Sequence, residues 1–395
     1  PRALVVYPDP PMPEAERDVL RALRPDVRIA TPSTLFGRVL LDRDTAPPLC
    51  GMTLAFSLSP SPTLPAIDEL AIGAGLTQTH AQDALAAIVL ASVHSGARVC
   101  FGGDFRRGGF TERLGFLLQA HRRLGLVGRP RLLCFLAEGR RSGDAIVEYE
   151  PCEVAAPAGA AACDDVEVRS LLWHLAMRRA SSQVAEARLV LGGRVRPRIE
   201  DGDGGYHGAW PGVLEEAYRT VQAHRALYLL GGFGGYAAEL ACMLDLDDDG
   251  PQGEVVDARA AGLRGRFEAS RLELATRADA DLDLLLIEGG RPLREADLRA
   301  RVRDAWRCFI AGDASAWPNG LDVAENRTLF TSTDEVELAQ LVFTGLSRLR
   351  RRAAPAGEIR LRCYHGDIAS IAGVDAYGVT LSPGLEPVGA SAALD

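Results

Sequence analysis

The chain has 395 residues, 47% hydrophobic and 25% charged, with a formal net charge of −9. That is the composition of a globular protein long enough for two or three packed domains. All 44 basic residues are arginine, which excludes Schiff-base chemistry and every phosphate site built on a lysine.

Residues 3–7 read as a short apolar strand, 14–23 as a helix and 27–30 as a second strand, one βαβ-like unit over 1–49. Strands are then predicted over 52–58, 97–101 and 131–136, with helices over 82–94 and 110–124 between them. A loop of small residues at 155–162 leads into a helix over 166–181. Strands over 187–191 and 226–230 follow, each leading to a helix, at 213–221 and 237–244. Alternation at this spacing predicts an α/β fold, a Rossmann-like and mostly parallel sheet with helices on both faces.

The acidic, Gly-containing stretch 245–253 marks a boundary. From 251 to 352 the pattern is mainly helical, clearest over 293–310 and 334–349, with 281–288 ambiguous between strand and helix. After a linker at 353–357, strands over 359–365 and 374–381 open a second, truncated α/β unit.

The chain carries no basic run beyond Arg350, Arg351 and Arg352, so no nucleic-acid partner is expected. Its best apolar stretch, 84–93, is too short to cross a membrane. The eight cysteines form no CxxC pair and sit mostly in apolar segments, the pattern of reduced core thiols in a cytoplasmic protein. No secretory leader is recognisable, and no metal is expected: HExxH and Cys/His zinc spacings are missing. The loop 245–250 matches only the first half of an EF-hand, because Val256 stands where the bidentate carboxylate belongs. The chain begins without Met and stops where a helix is starting, so it is expected to be an excerpt of a longer protein.

Three apolar strands run directly into a Gly-Gly pair and then towards a helix. The pairs are Gly102-Gly103, Gly192-Gly193 and Gly231-Gly232, the last continuing as Phe233-Gly234-Gly235. Glycine at such a junction permits φ > 0 and close approach of the backbone to a ligand. The following helix offers unpaired N–H groups to an anion, at the sheet edge where open parallel folds bind ligands. A tight turn alone also requires glycine, so both readings stand. Asp104, Arg106 and Arg107 follow the first pair and Arg194 the second; without lysine, Arg106 and Arg194 are the natural phosphate clamps. Gly208, Pro211 and Gly212 open the helix over 213–221, whose Glu216 would accept ribose hydroxyls or complement the helix dipole. Trp210 would stack on a base or pack its loop, and His207 lies in the same loop.

Taken together, Gly192-Gly193-Arg194, the Pro211-Gly212 helix start with Glu215-Glu216, and Gly231-Gly232-Phe233-Gly234-Gly235 resemble the second half of a SLOG domain. Ser57 after its strand, with Gly102-Gly103-Asp104 and Arg106, resembles the first half, so the resemblance covers about 50–245 and a domain of 50–250. SLOG domains are Rossmann-like sensors or processors of nucleotide-derived ligands in bacterial conflict systems. The resemblance implies that these residues hold a phosphate-bearing ligand such as NAD or a cyclic ADP-ribose isomer, with no separate cofactor. It also implies a homo-oligomer that switches a fused or associated effector outside the excerpt.

The related phosphoribohydrolases carry Gly-Gly-x-Gly-Thr-x-x-Glu. Here Gly235 stands in the Thr place and Ala238 in the Glu place, with Glu239 one residue late and so turned by about 100°. A sensor is therefore expected, with a nucleotide N-glycosidic hydrolase and a non-binding scaffold as alternatives. Tyr364 to Ile368 and Val374 to Ala376 resemble the start of a macrodomain, as found at the N-terminus of M17 aminopeptidases.

Overall fold

The structure is a computed structural model. It describes residues 3–6, 22, 27–30, 49–59, 78–101, 114–116, 118, 119, 132–137, 149–196, 206, 208–246 and 258–353. The macrodomain-like tail lies outside them, as do Gly102, Gly103, Asp104, Arg106, Arg107 and His207, and most of the helices expected over 14–23 and 110–124.

Strands β1 (Ala3–Val6) and β2 (Val27–Ala30) pair in parallel with each other, as a βαβ-like unit requires. The main sheet has six strands: β3 (Thr53–Ser59), β4 (Arg98–Phe101), β5 (Leu132–Ala137), β6 (Glu150–Val154), β7 (Ala187–Gly192) and β8 (Ala226–Leu230). Their spatial order is β6-β5-β4-β3-β7-β8, and every pair is parallel. This is the Rossmann-like α/β architecture. The apolar runs Leu-Leu-Cys-Phe-Leu-Ala of β5 and Ala-Leu-Tyr-Leu-Leu of β8 have the continuous apolar character of strands covered on both faces. Strand β6 is an addition to the expected set. Its Glu-Pro-Cys-Glu-Val sequence lacks apolar alternation because it is an exposed edge, where proline and charge discourage further pairing.

One face of the sheet turns Ala55, Cys100, Leu133, Val190 and Leu229 into a core. That core is shared with α2 (Val166–Val184), α3 (Gly212–Gln222), α4 (Gly235–Leu246), α5 (Ala258–Ala275) and α6 (Glu295–Ile310). Helix α2 starts where the Asp165 carboxylate accepts the Glu167 and Val168 N–H groups. Helix α3 follows Pro211 and buries Val213, Leu214, Ala217, Tyr218 and Val221, a stripe at helical spacing. The opposite face turns Leu54, Phe56, Val99, Leu189 and Tyr228 against α1 (Gln78–His94) and α8 (Glu335–Ala353). The described cysteines are free thiols. Burial pushes the Cys100 thiol up to about 12, so it stays protonated.

Between these layers, α7 (Val323–Thr331) straddles the free edge of β8. It sends Leu329 into one core and Phe330 into the other. The loop before it covers the edge: Asn319 Nδ2 donates to the Leu227 carbonyl at 3.0 Å and to Asn326 Oδ1 at 2.7 Å. The Tyr228 hydroxyl donates to the Asn319 carbonyl at 2.7 Å. The ambiguous stretch 281–288 is a series of turns into a hairpin of β9 (Ile287–Glu288) and β10 (Arg291–Pro292). The buried Arg271 guanidinium holds it by donating to the Leu285, Leu286 and Leu293 carbonyls while stacking 4.9 Å from the Trp210 and Phe267 rings. Among the described residues no helix is long and apolar enough to cross a membrane.

Candidate functional site at the strand-order reversal

From β3 the chain adds β4, β5 and β6 on one side, then crosses to place β7 on the other side of β3. The carboxyl ends of β3 and β7 are therefore the switch point at which open α/β sheets bind ligands. Ser59 pairs there with Gly192.

Two of the glycine junctions meet at this edge. Gly192 and Gly193 have φ of 66° and 96°, and Gly234 and Gly235 have 78° and 67°. A Cβ on Gly235 would lie 2.6 Å from the Gly192 carbon and the Gly193 oxygen, so only glycine fits. The Tyr236 N–H donates to the Gly193 carbonyl at 3.1 Å, which docks the start of α4 on the end of β7. All four glycines are buried, and Arg194 follows them half-buried.

The third pair is turned elsewhere. Cβ atoms on Gly231 and Gly232 would lie 2.4 Å from the Phe330 carbonyl and 2.2 Å from the Ser332 carbonyl. These two glycines let the end of α7 lie directly on the β8–α4 turn. Phe233 packs into the core with Leu230 and Leu329.

Ser57 and Glu216 are brought together by a residue that sequence reasoning passed over. Arg188, on β7, is 2% exposed. Its Nη1 donates to Ser57 Oγ at 2.9 Å and stands 3.7 Å from Glu216 Oε1. Its Nε donates to Thr220 Oγ1 at 3.0 Å, and its Nη2 to Ser181 and Ser182 Oγ at 2.9 and 3.1 Å. The available signal was one arginine inside an otherwise apolar strand, since a buried cation needs partners.

Pro211 and Gly212 open α3, while Gly208 lies at a different feature, a cleft of about 10 Å³ lined also by Arg178, Trp210, Glu215 and Phe267. This is below the roughly 300 Å³ at which small-molecule pockets begin. Its floor is Glu215, which is fully buried. Glu215 accepts from Arg178 Nη1 at 2.7 Å, Arg219 Nε at 2.8 Å and Trp210 Nε1 at 3.3 Å. Burial alone would raise its pKa, but the two guanidiniums more than offset this and hold the carboxyl below its ordinary value. Trp210 packs its loop, edge-on to Phe267 with ring centres 5.9 Å apart.

Glu239 faces α6, its carboxylate 4.0 Å from Arg299. Burial raises its pKa, opposed by Arg299 and reinforced by Glu295. Tyr236, on the same face of α4, donates to Glu295 at 3.0 Å. Glu239 thus pairs with the helical segment. Asp245, the first acidic residue of the EF-hand-like loop, pairs with Arg327 at 2.9 Å. Among the described residues no cluster of three or more His, Cys, Asp or Glu could hold a metal ion.

The chain matches the family model described as SLOG cluster2 over residues 48–139 and 169–259. No curated protein matches it. The two matched stretches hold five of the six strands of the sheet, every strand but β6, and both glycine pairs that meet at the switch point. By that match and that topology, this chain carries a SLOG domain of cluster 2.

Proposed function

We propose that the SLOG domain senses a phosphate-bearing nucleotide derivative of the NAD or cyclic ADP-ribose type and thereby regulates a fused or associated effector in bacterial defence. The observation that carries this reading is the meeting of two positive-φ glycine pairs, 192–193 and 234–235, where the strand order reverses. Backbone that close to a helix start favours an anion, and Arg194 beside it supplies the charge. In this reading Ser57 and Glu216, joined through the buried Arg188 on one face of the same strands, take the ribose hydroxyls. Gly102, Gly103, Asp104 and Arg106 complete the proposed set from the end of β4. The protein works as a cytoplasmic homo-oligomer in this reading, and the ligand is its only small molecule.

The orientation of Glu239 towards Arg299 supports a sensor over a phosphoribohydrolase. Thermal-shift titration with NAD, ADP-ribose and the cyclic ADP-ribose isomers tests the reading. A true ligand at 100 times its Kd adds about 2.7 kcal/mol of stability. Arg194→Ala is expected to abolish that shift. Silence across the panel, or release of free base with turnover from nucleoside monophosphates, overturns the sensor reading.

A further inference from the structure

We propose that the corner between α7 and α8, residues 331–334, is a strap through which the nucleotide site drives the C-terminal helices. This rests on the reading that the switch-point glycines receive the ligand. A chain of backbone contacts, with no side chain between the links, joins the glycines to the corner. The Gly193 carbonyl accepts the Tyr236 N–H at 3.1 Å, and Gly235 lies against the 192–193 peptide. The Gly234 N–H donates to the Gly231 carbonyl at 3.0 Å. A Cβ on Gly232 would then lie 2.2 Å from the Ser332 carbonyl and 2.8 Å from that of Thr331. Side chains absorb small displacements by changing rotamer; peptide groups packed on peptide groups cannot. A shift of the 192–193 peptide as it closes on an anion must therefore reach residue 332.

The corner is built to pass the shift on. The Ser332 N–H donates to the Thr328 carbonyl at 2.8 Å, and the Ser332 hydroxyl donates to Glu337 at 2.6 Å. Asp334 caps α8 by accepting the Val336 and Glu337 N–H groups at 2.8 and 3.0 Å. One end of the strap is thus fixed to α7 and the other to the first turn of α8. Helix α8 buries Leu338, Ala339, Val342 and Leu346 against the face of the sheet opposite α4. A displacement at the glycines so travels round the β8 edge and moves a helix on the far face. The strap lies beyond residue 259, where the match to the family model ends.

Hydrogen exchange followed by mass spectrometry on the whole chain tests the strap from both ends. Gly235→Ala perturbs the site end and Ser332→Ala the strap end. Gly235→Ala is expected to speed exchange over 329–338 by about tenfold while 258–275 stays unchanged. Ser332→Ala is expected to speed exchange at the Gly234 and Tyr236 amides. A Gly235→Ala effect confined to 187–193 and 231–246, or a Ser332→Ala effect confined to 328–340, overturns the strap. Should Gly235→Ala fail to fold, the milder Ser332→Ala still decides. In wild type, any of NAD, ADP-ribose or cyclic ADP-ribose that stabilises the protein should slow exchange over 329–338. Binding without that protection overturns the strap and leaves the sensor standing; no binding by any probe overturns the sensor, while the two substitutions judge the strap.

Discussion

Glu215→Ala is expected to destabilise the protein by about 3 kcal/mol, the lower end of the 3–5 kcal/mol typical for removing one partner of a buried ion pair. The carboxylate is 0% exposed and is shared by Arg178, Arg219 and Trp210. Its loss strands those donors unequally. Arg219, 3% exposed, keeps the Leu284 carbonyl at 3.0 Å, and Arg178, 20% exposed, can turn to water. That relief places the expectation at the low end. A fall in Tm of roughly 6–12 °C should accompany it; a loss under about 1 kcal/mol in urea unfolding would mean that the hub is not a buried charge site. The pH dependence has a definite sign. The folded pKa lies below the ordinary 4.5, so the stabilisation is complete above that pH and is lost as pH falls through the folded value. Glu215→Gln should remove this acid limb and leave the neutral-pH slope unchanged.

Arg188→Leu should cost about 2–3 kcal/mol, less than a bare count of its hydrogen bonds suggests. Three of the four hydroxyls that receive its N–H groups have acceptors of their own. Ser181 and Ser182 donate to the Arg178 carbonyl at 3.0 and 2.8 Å, and Thr220 to the Glu216 carbonyl at 2.7 Å. Each loses one donor and keeps its own bond. Glu216, 17% exposed, loses a cation 3.7 Å away and rehydrates. Arg188→Lys should fall short of wild type as well, because three donors on a point charge cannot span Ser57, Thr220 and Ser181 together. Stability within about 0.5 kcal/mol of wild type, measured by urea unfolding, would show the cluster to be decorative.

Both residues bear on what a sequence can disclose. The strands β3, β4, β5, β7 and β8 were legible as mainly apolar runs, and three of them, β4, β7 and β8, lead into a glycine pair. Strand β6 was not, because an exposed edge has no apolar face to display. The need for glycine at 192, 193, 231, 232, 234 and 235 was equally plain, but its cause was not. A backbone that must admit a ligand and one that must admit another stretch of backbone ask for the same residue. Gly235 turns out to admit the end of β7, and Gly232 the carbonyl of Ser332, one hundred residues further along. Arg188 joins Ser57 across 131 residues of chain, a pairing that no local pattern announces. The displaced Glu239 was legible as displaced; its partner Arg299 was not, since arginines on a helix face are usually solvated.

Helix α7 places consecutive residues, Leu329 and Phe330, in the two cores on either side of the sheet. The limits by which the family is recognised and the limits by which this chain folds are consequently different. The match to the family model stops at residue 259, yet the helix that closes both cores begins at Val323.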